Sequence, residues 1–189
     1  SLSVLGKALP KWLQEDYCAP DRSLVYHAAV LDQAFTDSLT ALQFPSLDLS
    51  CLIQGGSEQL QDSVFYLQPH MHLFAWEYDL ISFRSAFLKH DIDYWVEHRF
   101  PELPRGRSYY FVLYRNERNH VSWREISQSE WGLLDCLKKG ATVAQLCDCI
   151  EMQDTSSSEH MVEHLERWLQ EWTWAKWLTL SQKQEGEYA

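Results

Sequence analysis

Apolar positions recur most clearly at helical spacing in residues 22–42, RSLVYHAAVLDQAFTDSLTAL. There Leu24, Ala28, Leu31, Phe35, Leu39 and Leu42 fall on one face. Asp21 is the predicted N-cap of this helix, and Pro45 stands beyond its end. A shorter helix is predicted before it, in GKALPKWLQEDY, ending near Pro20. Residues 46–61 begin with a helical apolar pattern around Leu49 and Leu52 and break at Gly55-Gly56. The period then changes. SVFYLQPHMHLFAWEYDL is rich in aromatic and β-favouring residues, with Pro69 interrupting it, and predicts strands over 64–67 and 72–77. LISFRSAFLKH predicts a helix, and DIDYWVEHRFPELPRGR a connecting loop.

The second half starts with a hairpin pattern. Two apolar runs, 109–114 and 121–126, flank the polar turn RNERNH. Three helical segments follow. SQSEWGLLDCLKKG has Ser127 or Ser129 as N-cap and Gly140 at its C-terminal end; ATVAQLCDCI has Thr142 as N-cap; SSSEHMVEHLERWLQEW is capped by one of its serines. WAKWLTLSQ closes as a strand, and only the last few residues read as a disordered tail. Three short helices beside a hairpin and a final strand are the pattern of a winged helix. The predicted class is therefore α+β: an N-terminal helical region, 1–61, then a small sheet with a winged-helix-like module, 62–189, packed as one compact unit.

Composition narrows the function. Of 189 residues, 46% are hydrophobic and 14% aromatic, which is globular and not disordered. Nine tryptophans imply large apolar surfaces, some facing a partner. No apolar run approaches the ~18 residues of a membrane span, and the N-terminus has no long apolar stretch of a signal peptide. Five cysteines, an odd number, suggest free thiols and a reducing cytoplasm. The net charge of −11 repels nucleic acid and anionic lipid. Against it stands one basic strip, RGRSYYFVLYRNERNHVSWR, where Arg105, Arg107, Arg115, Arg118 and Arg124 face the single acid Glu117. It reads as a docking site for something acidic.

Catalytic motifs weigh less. HMVEH, residues 160–164, matches the inverted zinc-hydrolase signature, with His160 and His164 on one helical face. A working site needs a third ligand. In those hydrolases it lies on a helix well downstream, and only 25 residues follow His164. An exposed face with Glu159, Glu163 and Glu166 is the better reading. Cys147 and Cys149, two apart on a helix, point to different sides. His70 and His72 alternate onto one face of a strand with no third ligand in view, so packing or partner contact is expected. No P-loop, dinucleotide fingerprint or nucleophile elbow is present. No metal and no catalytic residue are assigned to this chain. DNA binding by a winged helix is the alternative function, as a transcriptional regulator. It asks for Arg or Lys on the reading helix, whereas TVAQLCDCIEMQD carries Asp148, Glu151 and Asp154 and no base.

The strings LPKWLQ, LVYHAAVLDQAF, VFYLQPHMHLF and VLYRNERNHVSWREISQSEWGLLDCLKKGATVAQL carry a resemblance. They are similar to the C-terminal two-thirds of a bacterial family often labelled DNA-binding, encoded beside TIM-barrel iron enzymes of peptide modification. Over roughly residues 2–180 the chain resembles the short form of that family, the MbnC proteins of methanobactin biosynthesis. The Leu31-Asp32 pair stands where longer relatives have Leu-Glu. The resemblance implies a non-catalytic subunit that pairs with an MbnB-like iron oxygenase and recruits a precursor peptide. That peptide's cysteines become oxazolone and thioamide groups of a copper chelator. Iron would belong to the partner, with no cofactor on this chain. A sheet edge can hold an extended leader by main-chain hydrogen bonds. The residues expected to meet peptide or partner are Tyr109, Phe111, Arg115, Arg118, His120, Trp123 and Arg124, on a hairpin expected to bury one face and leave the other open.

Overall fold

A computed structural model of the chain describes residues 2–47, 63–153 and 158–180. The predicted helix around Leu49 and Leu52, its Gly55-Gly56 break, the serines before residue 158 and the C-terminal tail lie outside the described residues. The class is α+β, with N-terminal helices, small antiparallel sheets and a C-terminal helical region.

Helix α1 (Leu2–Glu15) packs against α2 (Arg22–Thr40). The buried face of α2 is Leu31, Ala34 and Ser38. Of the residues expected on that face, Leu39, still inside the helix, and Leu42, past its end at Thr40, are 57% and 68% exposed. Asp21 occupies the N-cap position but makes no side-chain cap bond; its carboxylate instead accepts from the Tyr17 hydroxyl at 3.0 Å.

Strand β1 (Tyr66–Leu67) follows, then β2 (His72–Tyr78), α3 (Leu80–Phe87) and the short α4 (Tyr94–Glu97). Asp79 caps α3, accepting from the Ser82 N–H at 2.8 Å. The stretch predicted as loop therefore holds a helical turn and the start of β3 (Arg105–Arg115), which begins four residues before the apolar run that signalled it. β4 (Val121–Glu125) completes the hairpin. Its turn works because the Asn116 side chain accepts from the N–H groups of Arg118 and His120, while Asn119 adopts φ 57°, a region asparagine tolerates. The strand order is β2-β3-β4, all antiparallel, with β3 central.

Helices α5 (Gln128–Lys139), α6 (Val143–Gln153) and α7 (Ser158–Trp174) and strand β5 (Leu178–Thr179) form the last part. Ser127 caps α5 through the Glu130 N–H. Thr142 and Gln145 form a reciprocal capping box on α6, at 3.2 and 2.9 Å. Gly140 ends α5 at φ 89°, and a Cβ there would meet the Tyr66 ring at 2.3 Å, so glycine is required. The closing strand does not pair with the hairpin. β5 pairs with β1, and Phe65 bridges Ala141, so the helical module is completed by a strand from before the main sheet.

Both faces of β3 are covered. Tyr109, Phe111 and Leu113 pack with Leu31, Ala34, Phe74, Trp76 and Ile81 on the α2–α3 side. Val112 packs with Leu133, Leu137, Leu146, Trp168 and Trp172 on the side of α5, α6 and α7. The expectation of one open hairpin face does not hold, because an α2 layer closes it. Among the described residues no helix is long and apolar enough to cross a membrane.

Candidate functional site

The arginine strip of the sequence does not form one patch. β3 is eleven residues long, so Arg105 and Arg115 stand roughly 30 Å apart at its ends. Arg107 pairs with Glu125 and lies over the Tyr109 ring, 4.2 Å from its centroid. Arg115 reaches back to α2, donating to the Leu39 carbonyl at 3.3 Å and contacting Gln43 at 3.5 Å. There it satisfies a carbonyl at the helix C-terminus, where cations are favoured. Arg124 donates to the buried carboxylate of Glu130 and, at 3.3 Å, to Glu171. Trp172 Nε1 donates to the same Glu130 oxygen at 3.0 Å, and the Arg124 guanidinium lies 4.9 Å from the Trp177 ring. These contacts tie β4 to α5 and α7. Among the described residues, Arg105 and Arg118 are the members of the strip left exposed without a carboxylate partner.

The other expected contact residues divide in the same way. Tyr109 and Phe111 are 6% and 0% exposed and belong to the core, so they are corrected as docking residues. His120 is exposed in the turn beside Arg118. Trp123 is 39% exposed, with its ring edge-on to Phe111 at 6.0 Å.

β4 is the outer strand of its sheet, and the register shows which backbone groups are free. Ile126 N–H donates to the Tyr110 carbonyl and Asn116 N–H to the His120 carbonyl, each at 2.9 Å. Between them Val112 faces Arg124 and Tyr114 faces Ser122. Antiparallel alternation then turns the backbone polar groups of Ser122 and Arg124 toward β3, and those of Val121, Trp123 and Glu125 outward. No further strand pairs with this edge among the described residues.

Beside the hairpin lies an open cleft of about 1190 Å³. Tyr114, Asn116 and Arg124 line one side, and Glu171, Trp174 and Lys176 the other. Lys176 and Glu117 pair across it at 2.9 Å, and that ammonium holds the Glu117 carboxyl below its ordinary value, first by the hydrogen bond. Trp174 is 90% exposed. Sequence reasoning passed over Trp174 and Glu130. The clue to Trp174 was present in EWTWAKW: Trp172 and Trp174, two apart on a helix, cannot share a face. Trp172 is wholly buried, so Trp174 is forced out.

The histidines fall elsewhere. His70 lies in the turn before β2, not on the strand. It is buried, its Nδ1 accepts from the Arg115 N–H at 3.2 Å, and its carbonyl accepts from the Ser38 hydroxyl at 2.7 Å. Burial first, then the Arg115 charge, lowers its pKa to about 4. His72 lies parallel to Phe74, 6.4 Å away between ring centroids. His164 on α7 stacks on Trp168 at 5.6 Å. Among the described residues no three His, Cys, Asp or Glu side chains come together as a metal cluster would.

The chain belongs to the family of the HvfC C-terminal domain, whose model matches residues 69–173. That span begins at the turn into β2 and ends within the last turn of α7. It contains the outer strand, the Arg124–Glu130–Glu171 network and the hairpin side of the cleft. No curated protein matches the chain.

Proposed function

We propose that this chain is a non-catalytic partner subunit, of the MbnC kind, that holds a precursor peptide for an iron oxygenase. The peptide's leader adds to the outer edge of β4 as a further antiparallel or parallel strand. The observation that carries this reading is the edge itself. Val121, Trp123 and Glu125 turn their N–H and C=O groups away from β3, on a strand anchored to α5 and α7 by Arg124. An edge left unpaired among the described residues supplies main-chain recognition. Trp123 beside the edge offers an apolar contact for an alternate side chain of the leader, and Arg118 a charge for an acidic one. Family membership supports the iron-enzyme context; the conversion of peptide cysteines to oxazolone and thioamide groups rests on the string resemblance alone.

The test uses the outward-facing N–H. Trp123→Pro removes that donor while leaving the β3 ladder intact, since proline is tolerated where its nitrogen faces solvent on an edge strand. Trp123→Phe keeps the donor and most of the ring. Full chain, co-purified with its iron enzyme, is titrated with the precursor peptide. The expected result is that the proline variant loses about tenfold or more in affinity, with the phenylalanine variant close to wild type. Equal binding by all three, with circular dichroism unchanged, would remove β4 from the peptide site.

A further inference from the structure

Four cysteines lie among the described residues, and two of them meet. Cys136 stands on α5 and Cys149 on the neighbouring α6, with Sγ atoms 2.9 Å apart. That is closer than unbonded sulfurs ordinarily rest, and within about 1 Å of the disulfide bond length. Cys147 shares α6 but, two residues from Cys149, projects to another side. Cys18 is exposed near the N-terminus. Neither Cys136 nor Cys149 is fully buried, so both stay within reach of a small oxidant.

We infer that Cys136 and Cys149 are an oxidisable dithiol, a site of reversible covalent modification that locks α5 to α6. The oxidant class is a low-molecular-weight disulfide. A thiolate of the pair attacks it, forms a mixed disulfide and releases one small thiolate. The second protein thiolate then attacks the protein sulfur of that mixed disulfide and releases the other. The pair loses two protons and two electrons, and the reagent is reduced to two thiols. Burial, and next the hydrogen bond to Cys149, push the Cys136 thiol up to about 11. Its thiolate is scarce near neutral pH, so locking is slow there and accelerates as the solution becomes alkaline. The short span between the two positions, |i−j| = 13, makes the closed loop small.

The consequence is confined to the helical module. Between the two cysteines, Ala141 bridges Phe65 and Gly140 lies against the Tyr66 ring at the start of β1. Tying α5 to α6 fixes the geometry of that connection.

The experiment treats the full chain with oxidised glutathione at neutral and at alkaline pH. Remaining thiols are alkylated, and non-reduced peptides are mapped by mass spectrometry. The expected product is a peptide pair joined through Cys136 and Cys149, lighter by two hydrogens, formed faster at the higher pH and reversed by a thiol reductant. The bond should raise Tm by about 5–10 °C, from the loop it closes in the unfolded chain. Cys136→Ser and Cys149→Ser should each abolish the product, and Cys147→Ser should leave it. Alkylation of both Cys136 and Cys149 after oxidant treatment, or a bond mapped to Cys147 instead, would overturn the inference. The wild-type map decides this even where a serine variant folds poorly.

Discussion

The two faces of β3 are held by different chemistry. On the α2 side the contacts are ring on ring: Phe74 against Trp76 at 4.5 Å, His27 against Trp76 at 5.4 Å, and Tyr109 against Phe111 at 6.2 Å. Its ion pairs, Arg84 with Asp32 and Arg107 with Glu125, are partly exposed, and a buried imidazole, His70, accepts a backbone N–H. On the other side an aliphatic and tryptophan core surrounds a buried carboxylate, Glu130, that takes donors from Arg124 and Trp172. On one face burial disfavours a proton on the histidines; the other keeps a charge that must stay paired. The difference shows why the arginine strip cannot be read as a surface. A strand buried on both sides spends its charged residues where each layer needs a counter-charge or a helix cap.

Removing the centre of the aromatic face should have the largest effect. Phe111 is completely buried and lies in the middle of the central strand. Phe111→Ala should cost about 3–5 kcal/mol in stability, by lost transfer energy and the cavity left behind. Urea unfolding at two salt concentrations would show the same loss at both, since no charge is involved. A loss that shrinks with salt would mean the two faces are not as distinct as their contacts indicate.

The next effect belongs to pH. His70 titrates at about 4 in the fold and near its ordinary 6.5 when unfolded. Below 6.5 the unfolded chain therefore takes up a proton that the folded chain refuses. Stability contributed by the neutral ring is complete above about 6.5 and falls as pH drops toward 4. The full loss is about 3 kcal/mol at roughly 1.4 kcal/mol per unit. His27 and His72 are lowered by burial as well and act in the same direction. His70→Gln should flatten the pH profile of the unfolding midpoint between those values. A variant profile as steep as wild type would place the acid sensitivity elsewhere.

The charged face answers to a smaller cut. Arg124→Met leaves the Glu130 carboxylate buried with only the Trp172 donor, and should cost about 2–3 kcal/mol. Arg124→Met with Glu130→Met should recover much of that loss, because no charge is then left unpaired. If the double variant is no better than the single, Arg124 acts through its guanidinium over the Trp177 ring and not through its pairing with Glu130.

Much of this architecture was written in apolar periodicity. The α2 helix, the 72–78 strand, the hairpin and the caps at Ser127 and Thr142 follow from local pattern, and all appear within a residue or two, except that β3 begins earlier. What periodicity could not carry is which layer meets which. Tyr109 and Phe111 alternate as residues of a half-exposed strand do, and only the placement of α2 over them makes them core. Nor could two-residue strands be paired from pattern: β5 finds β1 across 111 positions of sequence, between Leu67 and Leu178. The candidate contacts behaved alike. His120, Trp123 and Arg118 sit on the exposed hairpin, as their polarity or edge position suggested, while Arg115 and Arg124 were claimed by partners on α2, α5 and α7 that no local reading could supply.

The smallest expected effect separates surface from scaffold. Arg118 sits at the tip of the hairpin, exposed, with its backbone N–H held by Asn116 and no carboxylate partner among the described residues. Reversing it should hardly touch the fold, within about 0.5 kcal/mol. Should an acidic leader lie along β4, its end near the turn would meet this guanidinium. Each exposed pair contributes roughly 0.2–1 kcal/mol, so Arg118→Glu should lower precursor affinity by about two- to fivefold. The loss should be greater at low salt, where exposed charges are less screened. Arg115→Glu should behave in the opposite sense. It breaks the contact with the Leu39 carbonyl and so destabilises the chain, with any loss of binding following from the fold. Titrations of both variants at two salt concentrations, beside their unfolding curves, divide the two roles. Unchanged peptide affinity for Arg118→Glu at low salt would mean that the leader reaches the edge by its backbone and Trp123 alone.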